Sequence, residues 1–147
     1  MSLKQQISHS ETFAAPAARV YQLLIDWGGI VNWMPNSLIR ELRLEGQGVG
    51  AIRHLTTRQG IELAERLDSV DEAATIITLS LLPPLPWHLL SYSATGAIEA
   101  LDAGACRLTW TGNLEMPEDA RQADQTAGLL RRSYESMFLG IRRELER

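Results

Sequence analysis

The longest periodic stretch of the chain is its last. Ala123, Ala127, Leu130, Tyr134, Met137, Ile141 and Leu145 recur at three- and four-residue steps, which is one face of an α-helix. Arg121, Gln125, Arg132, Glu135, Arg142 and Glu146 supply much of the polar remainder. Glu118, Asp119 and Asp124 lie near its start and Arg142, Arg143 and Arg147 near its end, so both ends suit the helix dipole. The spacing predicts a helix over 118–147, about 40 Å long. Such a rod is too long for a small bundle core and suits the open face of a curved sheet. Gly128 and Gly140 each cost roughly 1 kcal/mol against Ala inside a helix. Close approach to a neighbouring element is one reason to keep them.

Upstream, the apolar period falls to two. Residues 5–13 read as a strand with Ile7, His9, Glu11 and Phe13 on one side. Pro16 suits the first turn of a helix, its buried stripe is Val20, Leu23, Leu24 and Trp27, and Gly28-Gly29 stop it. A short helix or turn over 30–35 carries Trp33 and Met34. Strands follow over 38–45, 51–57, 61–67, 75–82, 88–101 and 105–116, divided by turns at 46–50, 59–60, 68–74 and 102–104. Proline has no amide hydrogen for a ladder, so Pro83, Pro84 and Pro86 define a rigid loop. Short turns between successive strands imply antiparallel pairing. The expectation is one α+β domain over 1–147: a seven-stranded curved antiparallel sheet wrapped around a long C-terminal helix, with two short helices after the first strand.

Alternation also assigns side chains to faces. Cys106, Leu108, Trp110, Gly112 and Leu114 oppose Arg107, Thr109, Thr111 and Asn113, which turns Trp110 inward. Leu90, Tyr92, Ala94, Gly96 and Ile98 share a face, which turns Tyr92 inward. The register that buries Ile61, Leu63 and Leu67 also buries Glu65. An isolated buried carboxylate is expensive unless paired or neutral. A neighbouring Arg, water in a cavity, or a polar group on a ligand could meet it. Residues 51–57 split into Ile52, His54 and Thr56 against Ala51, Arg53, Leu55 and Thr57, and neither face is purely apolar. His54 looks in if Arg53 looks out. Glu65 and His54 are therefore the two candidates that alternation offers for meeting a ligand or carrying chemistry. Trp33, Trp87, Trp110, Tyr92 and Tyr134 read as core-lining, and aromatic walls also suit a flat apolar ligand.

Composition narrows the chemistry. The chain has 147 residues, 45% hydrophobic and 22% charged, enough to bury a real core. A net charge of −4 and a pI near 5.4 argue against a nucleic-acid binder. Cys106 is the single cysteine, which excludes an internal disulfide and a cysteine-cluster zinc site. His9, His54 and His88 lack metal-ligand spacing, so no metal and no cofactor are expected. There is no phosphate loop, GxGxxG, HExxH or GxSxG motif. No signal pattern and no apolar run near the ~20 residues of a membrane span stand out. The default is a soluble cytoplasmic protein, monomer or homodimer, without membrane insertion.

One set of residues resembles a known family. Gly48-Val49-Gly50-Ala51-Ile52-Arg53, Glu65-Arg66-Leu67 with Asp71, Pro86, Tyr92 and Thr109-Trp110 resemble the polyketide cyclase/dehydrase branch of the START-like (SRPBCC) superfamily. Ala15-Pro16 before a helix and Trp33-x-Pro35 fit the same pattern. The superfamily includes the birch-pollen allergen and the plant abscisic-acid receptors. The resemblance implies a helix-grip fold with an apolar cavity between sheet and terminal helix. It implies ligand-facing places for Glu65, Tyr92, Leu130 and Tyr134, a cavity-facing His54, a gate over 57–60 and a latch over 86–89. Met34 stands where the receptors carry a lysine for the hormone's carboxylate, which argues against an acidic hormone-like ligand. The receptors' gate sequence is absent, so their signalling role is not carried over.

Two expectations follow. The first is a carrier or sensor enclosing a small hydrophobic, lipid-like or aromatic molecule, contacted by Trp33, Met34, Ile52, His54, Leu63, Glu65, Leu89, Tyr92, Trp110, Leu130 and Tyr134. The second is a cyclase or dehydratase using Glu65, His54 or Tyr92 for general acid–base chemistry. A third reading is a structural or partner-binding domain whose own side chains fill the interior.

Overall fold

A computed structural model describes residues 1–35 and 38–147. The elements are β1 (Ser2–Phe13), α1 (Ala17–Ile25), a 3₁₀ turn (Trp27–Gly29), α2 (Ile30–Trp33), β2 (Ile39–Glu45), β3 (Ile52–Thr57), β4 (Glu62–Asp71), β5 (Ile76–Leu81), β6 (Ser91–Asp102), β7 (Ala105–Pro117) and α3 (Ala120–Leu145). Among the described residues, seven strands form one curved antiparallel sheet in the order β1-β7-β6-β5-β4-β3-β2. Strands β2 to β7 follow as successive hairpins. Strand β1 instead pairs with β7, the last strand made, from Ser2 opposite Pro117 to Phe13 opposite Cys106.

The period-two pattern drives this sheet. Ile7 and Phe13 of β1 and Cys106, Leu108, Trp110, Leu114 and Met116 of β7 are buried on its inner face. The outer face pairs hydroxyls instead: Ser8 meets Thr111 and Ser10 meets Thr109, each at 3.0 Å. Bulges between Leu67 and Ser69 in β4 and between Ala100 and Asp102 in β6 interrupt the ladders. Such irregularities bend strands and raise their twist. Helix α3 starts at Asp119, whose side chain accepts the amide protons of Arg121 and Gln122, each at 3.1 Å. Arg142 and Arg143 occupy its last turn. Its buried face carries Ala123, Ala127, Leu130, Tyr134, Met137, Phe138 and Ile141. Gly140 is where the backbone of α2 comes closest: an added Cβ would clash with the Trp33 carbonyl oxygen. Gly128 has no such neighbour.

The end of β4, the start of β6 and the facing of β3 differ from the sequence reading. Strand β4 runs on to Asp71, where the sequence predicts a turn from 68. Strand β6 begins at Ser91, not 88, because Trp87 and His88 have positive φ angles of 57° and 63°. The Leu89 amide donates to the Pro86 carbonyl at 3.1 Å and closes that turn. The Thr126 hydroxyl donates to the Trp87 carbonyl at 2.8 Å and ties the turn to α3. The inward placement of His54 and Ile52 is also corrected. On β3 it is Arg53 and Leu55 that are buried inside, while Ile52 and His54 face out. His54 Nε2 lies 3.0 Å from Glu45 Oε1 on the outer face.

Candidate functional site

A cavity of about 350 Å³ lies between the inner face of the sheet and α3. Its walls are mostly apolar: Leu55, Leu63 and Leu81 from the sheet, Trp87 and Trp110, and Leu130 and Met137 from α3. Two glycines of the sheet leave room for the aromatic rings. A Cβ at Gly96 would sit 2.8 Å from the Trp110 ring, and one at Gly112 would overlap the Tyr134 hydroxyl.

Two polar groupings interrupt the apolar wall. In the first, Arg53 and Glu65 are cross-strand partners on β3 and β4. Arg53 Nε donates to Glu65 Oε1 at 2.8 Å. The guanidinium stacks 3.6 Å from the Trp27 ring centroid and Nη1 donates to the Trp27 carbonyl at 3.3 Å. Trp27 Nε1 in turn donates to the Glu65 carbonyl at 3.0 Å. The 3₁₀ turn is thereby fixed onto the sheet. The neighbouring cation that Glu65 needed is Arg53. The side chain of Arg53 is 6% exposed and that of Glu65 17%, so the carboxylate retains some openness toward the cavity it lines.

In the second grouping, the Tyr92 and Tyr134 hydroxyls hydrogen-bond each other across the cavity at 2.5 Å. Burial pushes Tyr92 well above the ordinary tyrosine range, and the adjoining Tyr134 and Glu65 add to the rise. Burial, with Glu65 adding to it, pushes Tyr134 up to about 12. Both phenols are protonated at neutral pH. Two hydroxyls carry two protons and one is spent between them, so one remains for a ligand acceptor.

Seven of the eleven expected contact residues line this cavity: Met34, Leu63, Glu65, Tyr92, Trp110, Leu130 and Tyr134. Trp33 and Leu89 are buried in the core without reaching the cavity wall. Ile52 and His54 lie on the opposite face. His54 instead borders an outer hollow of about 480 Å³ with Glu41, Arg43 and Glu62. That hollow is charged and has no aromatic wall, unlike sites that enclose apolar ligands. The expected catalytic trio is therefore divided: Glu65 and Tyr92 share the cavity, and His54 cannot reach it. Sequence reasoning missed Arg53 as a wall residue. It also missed the polar side chains on the α3 wall, Arg132, Ser133 and Ser136. The cross-strand position of Arg53 was the available signal: a tight turn over 58–60 sets Arg53 opposite an inward Glu65.

Among the described residues, no group of three or more His, Cys, Asp or Glu side chains could hold a metal ion. No helix among them is long and apolar enough to cross a membrane.

The family model described as polyketide cyclase / dehydrase and lipid transport matches residues 4–146. No curated protein sequence matches this chain. Several solved structures share its fold. The Zhui aromatase/cyclase from Streptomyces sp. R1128 is 20% identical with a TM-score of 0.85, over 99% of this chain and 95% of that one. Norcoclaurine synthase from Thalictrum flavum, in complex with dopamine and hydroxybenzaldehyde, is 18% identical with a TM-score of 0.81, over 98% and 87%. An uncharacterised protein from Bacillus thuringiensis is 17% identical with a TM-score of 0.82, over 97% and 100%. These similarities place the fold, a helix grip.

Proposed function

The chain belongs to the polyketide cyclase/dehydrase and lipid-transport family, and from that premise we propose that it encloses a small, mainly apolar aromatic molecule, as a carrier or sensor. The observation that carries this reading is the cavity itself. Its volume of about 350 Å³ lies at the small end of the range for ligand pockets. Trp87 and Trp110 offer flat faces, and the polar groups are few and fixed. Such a site suits a ligand with one hydroxyl to meet Glu65 and one acceptor to meet the tyrosine pair.

The polar geometry favours binding over acid–base chemistry. Glu65 is committed to Arg53, both tyrosines keep their protons near neutrality, and His54 is on the wrong face. A cyclase or dehydratase reading still draws on Glu65 and Tyr92 sharing one cavity, and a structural role would need that space filled.

Native mass spectrometry of freshly purified protein tests the proposal. A stoichiometric small molecule that leaves on denaturation is expected. Glu65→Gln should shift which molecule is carried, at a cost of about 3–5 kcal/mol in stability, because the buried Arg53 loses its counter-charge. An unchanged ligand profile would remove Glu65 as an anchor. Persistent absence of any bound molecule, with no uptake of added aromatic compounds, would remove the binding reading.

A further inference from the structure

We propose that Arg132 makes the mouth of this cavity selective for amphiphiles carrying one anionic group beside an apolar or aromatic body. The inference rests on the binding reading above and adds the charge of the ligand and where that charge sits.

Three observations support it. First, Gln59 and Arg132 are the two exposed residues of the lining, so they mark where the cavity meets solvent. The polar groups Thr57, Ser133 and Ser136 also belong to the wall, and none of them bears charge. Second, the charges along the wall do not cancel. Glu65 is the lining's carboxylate and is already bonded to Arg53, whereas Arg132 has no ion-pair partner among the described residues. A cation is thus left over at the opening. Third, Arg132 is aimed by its helix. Its Nη1 lies 3.4 Å from where a Cβ at Gly128 would stand. The side chain therefore folds back one turn over the bare glycine, away from Glu135, the acid that follows it by three positions. Gly128 has no backbone neighbour, unlike Gly140, and the Arg132 guanidinium is what a side chain there would touch.

An apolar body would occupy the aromatic interior, while a carboxylate, sulfonate or phosphate would stay at the wet rim and bond to the guanidinium. The anion need not enter the interior, where Met34 offers it no partner.

Two fluorescent probes test this: anilinonaphthalene sulfonate and phenylnaphthylamine, the same ring system without the charge. The sulfonate should bind the native protein more tightly, and its advantage should shrink as salt rises. Arg132→Gln should weaken the sulfonate roughly three- to tenfold, the loss of one partly exposed charge contact, and leave the neutral probe unchanged. Arg131→Gln, an exposed neighbour off the lining, should change neither. Equal effects of Arg132→Gln on both probes, or none on either, would overturn the rim selection while leaving the cavity reading intact. If neither probe binds, or both bind equally well after Leu130→Trp, the cavity reading falls and takes this inference with it.

Discussion

Tyr92 and Tyr134 make a pH prediction at the scale of single residues. A tyrosine in the unfolded chain loses its proton near pH 10. In the folded protein burial raises both, Tyr134 to about 12 and Tyr92 well above its ordinary value. The native state therefore holds protons that the unfolded state releases. Their contribution to stability is fully present below about pH 10 and is lost as pH climbs through about 12. Denaturant midpoints should stay level toward pH 10 and fall beyond it, and Tyr134→Phe should flatten that fall. Tyrosinate absorbance developing near pH 10 in the native protein, with no loss of stability, would contradict the buried pair. These two side chains and Trp110 were legible from alternation because their strand and helix faces sort cleanly into apolar and polar. Residues 51–57 do not sort. Each side of β3 offers a mixture that leaves the register undecided, and it is the family resemblance that turns His54 inward and Arg53 out. The ion pair with Glu65, reinforced by the Trp27 ring, reverses that facing. A cross-strand charge match, rather than hydropathy, is the signal that identifies it.

At the scale of elements, the fit of α3 against the sheet depends on missing side chains. Gly112 in β7 leaves space for the Tyr134 hydroxyl. Gly112→Ala should cost about 1–3 kcal/mol by forcing that phenol aside. In the double variant with Tyr134→Phe most of the loss should return, measured by chemical denaturation as a double-mutant cycle. Additive losses would mean that the helix is not seated where it is described. The strands and long helix themselves were readable from period and turn chemistry to within a few residues. The start of β6 was not, since nothing local announces a turn through Trp87 and His88. Asn and Gly ordinarily hold consecutive positive φ angles. Here the carbonyl of Trp87 is held instead by Thr126 of a helix some forty positions away, and such a tie is invisible in a local pattern.

At the scale of the molecule, the cavity exists because the sheet bends away from α3 more than their side chains fill. Leu130→Trp should occupy part of that space, abolish uptake of the neutral probe and change stability little. Retained uptake would show that α3 is not the wall. The curved sheet and its terminal rod could be anticipated from element order alone, but the size of the gap could not. It depends on bulges and on rings laid over glycines, which composition and periodicity do not encode.

The placement of β1 at the edge, paired with β7, bears on how the chain comes off the ribosome. Its first strand has no neighbour until residues 105–117 have been synthesised. Glu11 meets Arg142, 2.7 Å away, only after nearly the whole chain has emerged. Until then Ile7 and Phe13 lack the neighbours that bury them, a long exposure for apolar side chains. The cavity shares that dependence: one of its walls is α3, so the hollow has no shape until residues 120–145 have been made and laid against the sheet.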